Sequence, residues 1–396
     1  SYIHRKAVYS DYHPFMSQQI PDLFKNFSFK KVMWPVIIGL VVTIAIMFYN
    51  DLTGEGELRK GLAEIKWEKI SMGWIFMGFL MMVLRDFAYI WRIRILTHNG
   101  LSWRKAFDLI MLWEFSSALS PSIVGGSAVA IFLMNKENIS IGRGTAIIFL
   151  TILLDEIFYL LILPTVLLFF GYDTIFKPVP TAITIPFWTA YVGIFIYTVF
   201  LIMALIVYPK GIHNSLKKLF HTRFFKRWQE GGYKMADDLL EASYEIRSNN
   251  IWFWLKAAAS TLLAWAPRYL VLNCVIAAFA VTSLGLGEHI IAFARQAIMF
   301  IMMLVSPTPG SSGVAEYMFT LLLSDFTPKG LSIALAAVWR LISYYPYLLI
   351  GAILVPRWIN RVYGGKQKME AAEKASEQDD QAADESEVLS PSNQEA

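Results

Sequence analysis

The chain holds a single cysteine, Cys274, among 396 residues, so an intramolecular disulfide is excluded. Histidine is scarce too, and the six present are scattered without the spacing of a metal site. Enzyme signatures are missing: no glycine-rich nucleotide loop, no helical His-Glu-x-x-His, no nucleophile placed beside a base. The Gly-x-Gly at Gly285 to Gly287 is a short loop of no diagnostic value. The expectation is a protein with no enzymatic activity, no cofactor, no metal and no nucleic-acid partner. Charged residues make up only 17% of the chain, which leaves little polar surface for a soluble body of this length.

What is abundant is apolar: 56% of residues are hydrophobic and 15% aromatic. Several runs of about 20 mostly apolar residues define an all-α polytopic membrane protein. The net charge of +4 hides an asymmetry. From Met369 onward there are nine acids and one lysine, a net of −8, so the remainder carries +12. This tail, residues 364–396, cannot bury enough surface to order itself and is expected to be solvated and disordered. Residues 1–31 are polar and end in Lys30-Lys31, without the charged-then-apolar leader of a removable signal peptide.

The organising feature is a repeat. Ser120 to Met134 reads SPSIVGGSAVAIFLM and Ser306 to Phe319 reads SPTPGSSGVAEYMF. When the Val-Ala pairs at Val129-Ala130 and Val314-Ala315 are aligned, an arginine precedes each copy inside an apolar run, Arg85 and Arg268, and Asp155 falls on Arg340. An ionisable residue at mid-bilayer costs roughly 2.5 to 3.5 kcal/mol, so matched placement points to two halves built on one plan. Membrane repeat 1 covers residues 32–171, and membrane repeat 2 covers residues 183–357.

The expected crossings are about Val32 to Tyr49, Met72 to Trp91, Thr145 to Phe170, Ile185 to Tyr208, Ile251 to Val281 and Leu331 to Val355. Between the first two, Leu58, Leu62 and Ile65 at helical spacing suggest an interfacial helix. Two further apolar segments, Ala106 to Met134 and Ile290 to Leu323, are broken by Pro121, Gly125 and Gly126 and by Pro307, Pro309 and Gly310. Proline removes a donor and glycine favours turns, so each segment is expected to be a re-entrant helical hairpin. Three crossings plus one hairpin per half make the second half inverted, with the hairpin tips meeting near the midplane. Arg92 and Arg94, the 209–250 loop, Arg357 and Arg361 read as cytoplasmic flanks, so a multi-pass protein of the bacterial cytoplasmic membrane with both termini in the cytoplasm is expected. Within that loop Lys210 to Arg227 carries six basic residues and no acid, with Ile212, Leu216, Leu219, Phe220 and Phe224 on one helical face. It reads as a basic amphipathic helix on anionic inner-leaflet lipids.

Candidate site residues follow from cost and geometry. The hairpin tips offer Ser122, Gly125, Gly126, Ser311, Ser312 and Gly313, and helices starting near Ser127 and Ser312 would aim positive ends inward, suited to a phosphate. A break that merely lets helices pack closely is the competing reading. The intramembrane charges are Arg85, Asp86, Glu114, Asp155, Glu156, Arg268, Arg295, Glu316 and Arg340. Adjacent helical residues do not face each other, so Arg85 and Asp86 are expected to seek different neighbours. Asp155 or Glu156 is expected to pair across the halves with Arg268 or Arg340, and structural ion pairs would account for part of the set. Glu316 fits the first turn of a helix, where an acid meets the dipole. Tyr89, Tyr159 and Tyr344 read as hydrogen-bond partners or packing residues, with packing favoured.

The region from about Leu101 to Tyr159 and the run from Pro307 to Glu316 resemble the transmembrane domain of the lysylphosphatidylglycerol synthase/flippase family, with similarity over most of Val32 to Val355. Many relatives carry a Pro-Gly-Arg segment followed by an acid and Arg; here that stretch is Pro121 to Ser127, without the Arg and the acid. The Glu-Arg of many relatives is here Asp155-Glu156, while Gly313-Val314-Ala315-Glu316 matches well. The resemblance implies movement of lipids, typically aminoacylated phospholipids, across the cytoplasmic membrane by a stand-alone module without the synthase domain. The substrate-binding set it suggests is Arg85, Asp155, Glu156, Arg268, Arg340 and Glu316 with the tip residues above. A membrane enzyme or accessory subunit for lipid-linked sugars, and a transporter of ions or polar solutes, are the alternative readings.

Overall fold

In the computed structural model, residues 69–120, 123–176, 179–280, 284–306 and 308–362 are described, and every regular element among them is helical. The expected first span, the segment around Leu58 to Ile65, residues 1–31 and the acidic tail lie outside the described residues.

In chain order the helices are α1 (Lys69–Leu96), α2 (Trp103–Leu119), α3 (Ile123–Lys136), α4 (Ile141–Phe170), α5 (Tyr172–Phe176), α6 (Thr181–Ile202), α7 (Pro209–His221), α8 (Gln229–Ser248), α9 (Ile251–Phe279), α10 (Leu286–Leu304), α11 (Val314–Leu323) and α12 (Ser332–Ser343). Side chains start several of them: Ser102, Ser140 and Asn250 each accept from the backbone N–H three residues on. Six stretches among the described residues are long and apolar enough to cross a membrane, namely Ser71–Leu96, Ile141–Phe170, Thr181–Val207, Ile251–Phe279, Leu286–Leu304 and Ser332–Val362. Their outer faces show large apolar side chains such as Phe76, Val83, Leu168 and Ile196, whereas Arg85, Arg92 and Arg340 are buried. That distribution suits hydrocarbon outside and satisfied polar groups within.

The most extensive packing joins α1 and α9. They run antiparallel: Gly78 faces Cys274, while Arg92 reaches Thr261 at the other end. Pro267 lies inside α9 just before Arg268, so the Leu263 carbonyl loses its helical donor there.

Both broken segments fold as helix pairs. Lys105 in the first turn of α2 reaches Glu137, just past α3, at 2.7 Å, so the chain returns to the end it came from. Nearer the tip, a Cβ on Gly126 would overlap Ser117, which is why glycine is needed at that approach. In the second pair, Ser311 donates to the Met303 carbonyl at 2.7 Å beside the tip, and Arg295 of α10 donates to the Leu322 carbonyl at 3.0 Å near the end of α11. The turn at Pro309–Ser311 packs on α2.

On the polar side, α8 packs on both α7 and α4. Phe220 of α7 covers Gly232 of α8, and Gly142 at the start of α4 lies so close to the α8 backbone at Met235 that no Cβ fits. Asp237 of α8 takes His213 at 2.7 Å and Lys217 at 2.8 Å from α7. Those hydrogen bonds, from Lys217 first and then His213, hold its carboxyl below the ordinary carboxylate range.

Candidate functional site

A cavity of about 280 Å³ lies among α1, α2, α4, α9, α12 and the second hairpin tip. It brings together five of the residues expected from sequence, Asp155, Glu156, Arg268, Ser311 and Arg340. It also brings Glu114, one of the expected intramembrane charges, and Arg92, Tyr89, Trp265, Tyr344 and Tyr347, which had not been expected there.

The charges are arranged in separate groups. Arg92, 1% exposed, donates to both oxygens of Asp155 at 2.5 and 3.0 Å and to Thr261 at 3.2 Å. Trp265 gives Asp155 a further hydrogen bond at 2.7 Å, and the Tyr89 ring lies 4.6 Å from the Arg92 guanidinium. The expected cross-half partner of Asp155 is therefore replaced by Arg92. Reading Arg92 as a cytoplasmic flank is corrected as well: placed near the end of its apolar run, it turns inward because an acid waits there. A signal was present, since Arg85, Tyr89 and Arg92 are spaced i, i+4, i+7 and share one helical face.

Arg85 sits behind the cavity wall. It pairs with Glu114, donates to Asp86 at 2.9 Å and to the Tyr347 hydroxyl at 2.6 Å, and that hydroxyl donates to Asp86 at 2.7 Å. The expectation that Arg85 and Asp86 look to different neighbours fails, because the long guanidinium side chain folds back to its neighbour's carboxylate. Tyr89 lies between the two arginines, its centroid 4.7 Å from Arg85.

Arg340 holds the second tip. It donates to the Gly310 carbonyl at 2.8 Å and to the Ser312 hydroxyl at 3.1 Å, and its Nε lies 3.4 Å from Glu316. Gly310 needs its positive φ of 56° and lies against the Tyr344 ring. Glu316 is committed locally: its other oxygen accepts from the Gly313 N–H at 2.6 Å, the N-cap of α11, where Gly313 has φ 85°. That amide is thus not free for a phosphate. At the first tip α3 begins at Ile123, a turn earlier than expected, so Ser127 is inside the helix and lines the cavity. Gly125 is within α3, and Ser122 lies outside the described residues. Tyr344 is more than packing: it donates to the Ala118 carbonyl of α2 at 2.9 Å and lies 3.8 Å from the Arg340 guanidinium. Tyr159 does pack, edge-on to Trp265 at 4.8 Å.

Arg295 stands apart, binding the Leu322 and Thr174 carbonyls and Asp325, which makes it a structural clamp. Two cavity residues remain. Arg268 touches the Trp265 and Phe300 rings at 5.0 and 5.3 Å and has no hydrogen bond or ion pair among the described residues. Glu156, 6% exposed, has a buried oxygen, Oε2, without a hydrogen-bond partner.

Helices enough for several crossings, two paired helical breaks and a charged cavity between them define a multi-pass α-helical membrane protein with an internal polar site. The chain belongs to the family described as the lysylphosphatidylglycerol synthase TM region, whose model matches residues 36–351. It is also similar to a UPF0104 membrane protein of Archaeoglobus fulgidus, 24% identical over 331 residues that cover 81% of this chain and 94% of that one.

Proposed function

We propose that this protein moves the polar headgroup of a phospholipid or lipid conjugate across the cytoplasmic membrane through the charged cavity, as a transporter and not as an enzyme. The observation that carries the reading is Arg268: a guanidinium facing the cavity that lies over two aromatic rings and has no hydrogen bond or ion pair among the described residues. A cation without a counter-ion in such a place is costly, and a lipid phosphate supplies the missing charge. Size supports a headgroup: about 280 Å³ is near the lower end of small-molecule sites, so acyl chains stay in the bilayer. The family supports a lipid, possible aminoacylation of which is a feature of the resemblance.

In this reading both termini are cytoplasmic, the two hairpins are related as an inverted repeat, and α7 rests on anionic inner-leaflet lipids. Leu219, Phe224 and Trp228 are exposed beside Lys218, Arg223, Lys226 and Arg227, a pairing of apolar and basic groups that fits such a surface.

The test is leaflet exchange of acyl-labelled lipids with anionic, zwitterionic and lysyl headgroups in liposomes. Arg268→Gln is the informative variant, because Arg340 also holds the tip and its loss would mix binding with folding. Exchange selective for headgroup and reduced at least tenfold by Arg268→Gln is expected. Exchange untouched by that change overturns the role of the cavity, and modification of a lipid-linked sugar by the purified protein overturns the transporter reading.

A further inference from the structure

The charges that line the cavity, their ion-pair partners, and Asp86 beyond Arg85 comprise four arginines, Arg85, Arg92, Arg268 and Arg340, and five carboxyl groups, those of Asp86, Glu114, Asp155, Glu156 and Glu316. One of the carboxyl groups is unlike the others. Asp86 and Glu114 share Arg85, Asp155 has Arg92 and Trp265, and Glu316 has the Gly313 amide beside Arg340. Glu156 alone of the five has no donor among the described residues, although it is more than nine-tenths buried and borders the cavity.

Among the described residues no ion pair supplies the charge. On α4 itself Asp155 adds a second negative charge, and Tyr159 is neutral. α1 presents Tyr89 and Arg92, the latter already bound to Asp155. α9 presents Arg268, which is beyond ion-pair distance, and Tyr269. On α6, Tyr197 lies within electrostatic range of Glu156. α10 also packs on α4, and its ionisable groups are engaged elsewhere: Arg295 with Asp325, His289 with Asn273, Glu288 with the Gly285 amide. A buried carboxylate without a counter-ion is costly, which favours a proton on Glu156.

We propose that Glu156 exchanges this proton for the ammonium group of a bound headgroup, so that passage of a lipid bearing both phosphate and amine is coupled to counter-movement of one proton. The inference rests on the lipid-transport reading above. On binding, the carboxyl O–H bond breaks and its electron pair stays on oxygen. The proton leaves through water in the cavity, and the ammonium becomes the counter-ion while the phosphate meets Arg268. The two unpartnered groups of the cavity, one of each sign, are then both satisfied by one zwitterionic ligand. Return of the empty site requires the proton again, which ties the two fluxes together.

Two measurements test this. In weakly buffered detergent solution, dihexanoyl phosphatidylethanolamine is titrated into the purified protein and released protons are read with a pH dye. About one proton per bound lipid is expected, none with dihexanoyl phosphatidylglycerol, and none from E156Q, whose binding should weaken because the ammonium loses its counter-ion. The wild-type titration decides alone if E156Q does not fold. In liposomes with the membrane potential clamped, a gradient of one pH unit should shift the leaflet ratio of acyl-labelled phosphatidylethanolamine about tenfold for one-to-one coupling. Exchange that ignores the gradient, together with binding that releases no proton, overturns the coupling and leaves the transport reading standing. Absence of both binding and exchange for every headgroup overturns both. Proton release by free phosphoethanolamine but not by the lipid overturns the lipid form of the proposal in favour of a soluble zwitterion.

Discussion

The pair of Arg92 and Asp155 offers a quantitative check on the internal charge arrangement. Arg92 is 1% exposed and the Asp155 side chain 21% exposed, and two hydrogen bonds join them. Replacing Arg92 by Met leaves a largely buried carboxylate with Trp265 as its remaining donor. Removing one partner of a buried pair costs about 3 to 5 kcal/mol, and the opening of Asp155 to the cavity puts this case near 3 kcal/mol. Asp155→Leu leaves the guanidinium with Thr261 and the Tyr89 face, for a similar loss of about 3 kcal/mol. The double variant removes both charges and orphans chiefly the Trp265 N–H, a cost of about 2 kcal/mol. Simple addition would give about 6 kcal/mol, so the coupling energy is about 4 kcal/mol. Unfolding of the purified protein in mixed dodecylmaltoside and dodecyl sulfate micelles measures all three variants on one scale. A double variant as damaged as the sum of the singles refutes the claim that these two groups neutralise each other.

Two other outcomes are open to measurement. Gly310→Ala strains a residue at positive φ and drives a methyl into the Tyr344 ring, so a loss of about 2 kcal/mol is expected, with loss of lipid exchange; a fully stable and active variant contradicts the close approach. Asp237 has its folded-state pKa held below the ordinary 3.8, so its contribution to the α7–α8 contact is present above that value and fades as pH falls below it. The protection of the α7 amides, exchange rates taken relative to their intrinsic pH dependence, should therefore fall in that acid range, and Asp237→Asn should show the lowered protection already at neutral pH.

Much of the architecture was legible because it follows from single residues with strong local effects. Prolines and glycines cannot continue an apolar helix, so the breaks after Leu119 and Leu304 could be placed from sequence. The cost of charge in hydrocarbon likewise marked Asp155, Glu156, Arg268 and Arg340 before their common cavity was known. Pairing was harder, because a guanidinium reaches far and periodicity says nothing about which neighbouring helix faces it. Arg92 lay near the end of its apolar run and passed for a flank, although the i, i+4, i+7 stripe with Tyr89 and Arg85 was visible. Glu316 shows the reverse: its place in the first turn of a helix was legible as an acid meeting the dipole, while its bond to the Gly313 N–H was not.

The last helix gives the two broken segments a shared fate. Arg340 grips Gly310 and Ser312 in one tip, and Tyr344, one turn further along, grips Ala118 beside the other. The turn between them works as an interlock. Neither tip can withdraw from it alone without leaving a buried donor idle, and a shift of the turn itself strains both attachments together. A displacement of the turn from Arg340 to Tyr344 is therefore felt at both tips at once.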